Sequence, residues 1–117
     1  MAFRNSRHRV QQARRWLDRL VCEEIATTGQ TKIHAMGAVA RRIGVTKAFI
    51  DHIDRGRAKT IDPDKFEMVR EGFCRSFEHK AMTLMHEAEI ARQTGAGPDR
   101  MIEIETRLRR LLDEICG

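Results

Sequence analysis

The run MGAVARRIGVTKAFIDHIDRGRAK, Met36 to Lys59, decides how this chain is read. Ala40 stands where two helices must approach closely, so a larger side chain would push them apart. Gly44 follows four residues later, at a sharp turn where a residue able to take a positive φ is most comfortable. Val39, Ile43, Val45, Ile50 and Ile53 supply apolar side chains at helical spacing on both sides of that turn, enough to pin two short helices on a shared core. Thr46, directly after the turn, is suited to N-cap the second helix.

Val39, Ala40, Arg41, Arg42, Ile43, Gly44, Val45 and Thr46, followed by Ile50, Ile53, Asp54, Arg55, Gly56, Arg57, Ala58 and Lys59, together resemble the lambda-repressor-like helix-turn-helix family. Val39 and Ala40 stand for that family's Leu-Ala pair, Gly44 to Thr46 for its Gly-Val-Ser/Thr turn, and Ile53, Asp54 and Gly56 for the close of the second helix. The resemblance covers about a fifth of the chain. It implies a DNA-binding bundle whose second motif helix enters the major groove. On that helix it places Thr46, Lys47, Ala48, Asp51, His52 and Arg55 toward bases or adjacent phosphates. Three residues depart from the family pattern. Met36 and Gly37 stand where a Gln often braces a phosphate, and Phe49 stands where a small polar residue is usual. Asp51 would be repelled by phosphate but suits a cytosine amino group if it faces a base edge.

Charge is distributed in keeping with a polyanionic partner. Residues 1–61 carry 13 Lys or Arg against 5 Asp or Glu, a net of +8, whereas residues 62–117 carry 9 against 12, a net of −3. The basic part contains the motif. Arg41, Arg42, Arg57 and Lys59 flank it and are expected to neutralise phosphates. Arg4, Arg7 and Arg9 lie before or at the start of the first expected helix, at about residues 8–26, and form either an arm that reaches a groove or a solvated terminus.

Helical periodicity extends over nearly the whole chain, with no persuasive strand. Val10, Ala13, Leu17, Leu20, Val21 and Ile25 form one stripe, with Trp16 beside it. Asp62 followed by Pro63 signals another helix start. A pattern of Phe66, Val69, Phe73, Phe77, Ala81, Leu84, Ala88 and Ala91 continues to about Thr94, and Gly72 within it is expected to end or bend a helix. Gly95 to Pro98 breaks the pattern before a last stripe of Met101, Ile104, Leu108, Leu111, Leu112 and Ile115. The expected fold is therefore all-α: a lambda-repressor-like helix-turn-helix bundle in residues 1–73, followed by a C-terminal helical hairpin in residues 74–117. Apolar seams this long leave apolar surface at an edge, so the hairpin is expected to form a homodimer, or to dock another protein.

Other chemistries find little support. Cys22, Cys74 and Cys116 are too widely spaced for a zinc knuckle or a disulfide framework, which points to a reducing compartment. Cys22 and Cys74 read as small core fillers, and Cys116 as exposed. His79 and His86 lie two turns apart, about 10 Å, too far to share one metal ion within a subunit. No paired carboxylates sit in a pocket signature and no glycine-rich loop follows a strand, so neither catalysis, a metal nor a cofactor is expected. No apolar run approaches the roughly 20 residues that span a bilayer, so no membrane partner is expected and a cytoplasmic location is. The function expected is a sequence-specific, double-stranded-DNA-binding transcriptional regulator, a repressor acting as a dimer. The alternative is a helical protein-interaction module, an antitoxin-like partner or antiactivator, that keeps the motif for folding alone.

Overall fold

From Ala2 to Thr28 the chain contains neither Pro nor Gly, and a single helix, α1, takes up the whole of it. In the computed structural model, the backbone of residues 2–116 and the side chains of residues 7–113 are described. Four further helices follow, α2 (Lys32–Ile43), α3 (Lys47–Asp54), α4 (Pro63–Gln93) and α5 (Pro98–Cys116), and no strand occurs among the described residues. The all-α expectation is met. None of these helices is long and apolar enough to cross a membrane, among the described residues.

α1 begins earlier than its apolar stripe. Arg4, Arg7 and Arg9 lie inside it rather than on an arm ahead of it, because Ala and Arg are strong helix formers and nothing before Gly29 interrupts them. The Arg4 side chain falls outside the described residues. Arg9 is drawn onto the core, its guanidinium carbon 5.5 Å from the centroid of the Phe66 ring.

The turn between α2 and α3 is made by local chemistry. Gly44 takes the left-handed conformation, φ 87°, and its N–H and that of Val45 both donate to the Ala40 carbonyl, at 2.9 and 3.0 Å. Thr46 then caps α3, its Oγ1 accepting from the Phe49 N–H at 3.1 Å, as Thr31 caps α2. The helices so joined bury Ala35, Met36, Val39 and Ala40 from α2 and Ile50 and Ile53 from α3, against Val10, Ala13, Leu17, Leu20 and Val21 of α1. Burial of a side chain such as Ile50 or Val39 stabilises the fold by about 1.5–3 kcal/mol.

α4 starts where Asp62 and Pro63 predict, with Asp62 Oδ1 accepting from the Asp64 N–H at 2.8 Å. It does not end at Gly72. The helix runs unbroken through that residue, whose missing side chain serves another purpose: a Cβ there would overlap Ile43 Cγ2 and lie 3.2 Å from Ile43 Cβ. Gly72 is what lets α4 approach the end of α2. Beside it, Trp16 stacks on Phe73 at 5.7 Å between ring centroids and tilts against Phe66 at 5.5 Å.

The chain divides into two compact units, Met1–Cys74 and Arg75–Gly117. In the second, Leu84 and Ala91 of α4 and Ile104 and Leu111 of α5 form a small core, flanked by Phe77, Ala88, Ala96 and Met101. Glu87 of α4 accepts from Arg107 at 2.9 Å and from Arg100 at 3.4 Å, fastening α5 along α4. Met82, Met85, Leu108 and Leu112 remain exposed. The cysteines differ from expectation: Cys22 and Cys74 are free and exposed, because each falls just off the buried stripe of its helix, while the Cys116 side chain lies outside the described residues.

Candidate functional site

α3 offers its surroundings a short polar face. Ile50 and Ile53 point inward, each 1% exposed, and this leaves Thr46, Lys47, Ala48, His52 and Arg55 exposed and Asp51 half-exposed. Lys47, Ala48, Asp51 and His52, picked from the sequence, therefore lie on α3 itself, with Thr46 as its N-cap and Arg55 as its C-cap. Two of them are partners. Arg55 Nε lies 3.1 Å from both Asp51 carboxylate oxygens, with the acid one turn N-terminal to the base, the favourable order along a helix. An exposed pair of this kind contributes only about 0.3–0.5 kcal/mol. It neutralises Asp51 at rest, and it is weak enough for Arg55 to exchange it for another acceptor.

Lys47 has a neighbour from α2. A Cβ on Gly37 would lie 3.9 Å from both Arg41 Nη1 and Lys47 Cδ, so these two cationic side chains converge over a glycine that leaves them room. From the sequence alone Gly37 reads only as a departure from a family pattern. Its i, i+4 spacing from Arg41 was the available signal. Met36, another departure, is 4% exposed and belongs to the core, so no polar contact can start from it. Phe49 is half-buried against the same core, with Lys65 Nζ 5.2 Å from its ring centroid. It seals α3 rather than facing outward with the polar residues.

The flanking cations divide into two kinds. Arg57 and Lys59 are exposed on the segment after α3. Arg42 instead pairs with Glu24, the buried charged residue of this core at 8% exposure. A buried carboxylate is costly without a partner, so Arg42 is engaged in holding α2 against α1. The end of α3 is also fastened. Arg14 Nη2 donates to the Asp54 carbonyl at 2.9 Å, and the Asp54 carboxylate pairs with Lys32 at 3.0 Å. The hydrogen bond that Lys32 donates to the Asp54 carboxylate, followed by the charge of that carboxylate, raises the Lys32 pKa above its ordinary value of 10.5.

Among the described residues no group of three His, Cys, Asp or Glu side chains is placed to hold a metal ion, and His79 and His86 stand exposed on α4. What the α3 face can do chemically is donate hydrogen bonds from Lys47, Arg55 and the Thr46 hydroxyl, and accept or donate through His52. No protein-family model, curated protein or solved structure matches the chain.

Proposed function

We propose that the chain is a sequence-specific DNA-binding transcriptional regulator, a cytoplasmic repressor acting as a dimer, built as a lambda-repressor-like helix-turn-helix bundle with a C-terminal helical hairpin. The observation that carries the reading is the α3 face. Thr46, Lys47, Ala48, His52 and Arg55 are exposed together on a helix whose opposite side is locked into the core by Ile50 and Ile53. Lys47, Arg55 and His52 suit the acceptors of guanine, and Asp51 suits the cytosine amino group once Arg55 leaves it. Arg41, Arg57 and Lys59 supply phosphate contacts, within a stretch whose net charge is +8. Free, exposed Cys22 and Cys74 accord with a reducing compartment.

The dimer is assigned to the second unit. Met85 on α4 and Leu108 and Leu112 on α5 are 68%, 37% and 50% exposed, apolar surface that a second copy would cover, and a two-fold protein matches two half-sites about one helical turn apart. Selection from a random duplex pool, followed by binding of the enriched sequence at two salt concentrations, tests the reading. An inverted-repeat consensus with a steep salt slope is the expected result. Absence of enrichment would overturn it.

The pairing of Arg55 with Asp51 favours a second reading, a protein-interaction module in which α3 is structural and residues 75–117 bind another protein. Salt separates the two, since an apolar contact hardly responds to ionic strength while phosphate contacts respond steeply.

A further inference from the structure

A cleft of about 780 Å³ opens in the first unit between α1 and the segment that follows α3. Among the described residues its polar lining consists of Arg7, Gln11 and Arg14 from α1 and Lys59 and Thr60 from the segment, so every ionisable side chain described on it is cationic. Arg7, Gln11 and Arg14 recur at the spacing that puts residues on one helix face. Buried Val10 and Ile53 form the floor. Gly56, whose φ of 71° turns the chain after α3, borders the cleft. Arg14 donates one of its five N–H groups to the Asp54 carbonyl.

We propose that this cleft is a binding site for a phosphate group. Three cations gathered around one concavity with no carboxylate on its lining repel one another, and a bound anion relieves that repulsion. Guanidinium groups match phosphate oxygens two at a time, the Lys59 ammonium adds a point charge, and Thr60 and Gln11 supply neutral donors. A cleft of this size accommodates a nucleotide-sized molecule, and the same groups suit a backbone phosphate of a duplex. Only the second source rests on the DNA-binding reading. Because Arg14 also holds the last carbonyl of α3, an anion at this site acts on a residue that anchors that helix.

The test titrates the isotope-labelled full chain with ADP and, separately, with a random-sequence duplex, reading backbone amide shifts. Inorganic phosphate serves as the simple-ion control. Saturable shifts at Gly56, Ala58 and Thr60 are expected, weakened about tenfold in Arg7→Gln, whose exposed position leaves the fold intact. Saturation by ADP identifies a free nucleotide. Saturation by duplex alone, with a salt slope reduced by about 0.9 in Arg7→Gln, identifies backbone phosphate. Unsaturable shifts with both probes, ADP shifts no larger here than around Arg41 and Lys47, or affinities for both probes unchanged in Arg7→Gln would overturn the proposal. A chain that binds ADP at the cleft and no duplex at all would retain this site while removing the DNA-binding reading.

Discussion

Gly72 shows how one residue is read differently once its neighbour is known. A glycine inside a helical pattern costs about 1 kcal/mol relative to alanine, so by propensity alone Gly72→Ala should stabilise the protein. Against that stands the overlap of the new methyl with Ile43 Cγ2, on a β-branched side chain that has little freedom to move away. Overpacking of this kind costs about 1–3 kcal/mol, so the net outcome expected is destabilisation, read as a lower urea midpoint. A rise in midpoint would show that α2 and α4 can separate cheaply. Arg42 and Arg41 make a second contrast. Arg42→Ala strands the buried Glu24 carboxylate and should lower stability by about 1–2 kcal/mol, less than a fully buried pair because Arg42 itself is more than half exposed. Arg41→Ala should leave stability within about 0.5 kcal/mol and weaken duplex binding instead. Thermal melts and duplex titrations of both variants separate the two roles.

At the scale of elements, the boundaries of α2 and α3 follow from residues adjacent to them. Gly44 ends one helix and Thr46 starts the next, through hydrogen bonds spanning no more than five residues, and such bonds are legible wherever the right residue types occur. The beginning of α1 was not legible, because apolar periodicity reports the buried face and is silent over exposed helix that buries nothing. Periodicity alone therefore leaves Arg4, Arg7 and Arg9 as an arm or a solvated terminus. α3 carries the sharpest expectation at this scale. Asp51→Asn removes the partner of Arg55 and the one negative charge on the face. It should cost about 0.3–0.5 kcal/mol of stability while raising affinity for random duplex and steepening its salt dependence. Unchanged duplex affinity in Asp51→Asn would exclude Arg55 from the contact surface.

For the molecule as a whole, the question is what covers the apolar surface of the second unit. Met85, Leu108 and Leu112 lie off the small core of Leu84, Ala91, Ile104 and Leu111, whose modest size makes further burial valuable. Leu108→Glu should convert a dimer to a monomer in sedimentation equilibrium and weaken binding to a two-half-site duplex far more than to a single half-site. Wild-type chain sedimenting as a monomer at tens of micromolar would overturn the dimer.

The sequence by itself determined the helical class, the turn at Gly44, the caps at Thr46 and Asp62, and the apolar stripe of α1. All of these depend on residues within about one helical turn of each other, where spacing and residue type act directly. The tertiary structure alone decided that Phe49 and Met36 turn inward, that Cys22 and Cys74 stay outside, that Gly72 is a contact and not a break, and that Arg42 answers Glu24, 18 residues earlier. Each of those outcomes is set by a partner on another helix. Whether a side chain is buried, paired or left for a ligand depends on how helices distant in the chain pack together, and the spacing of residues within one helix carries no record of that.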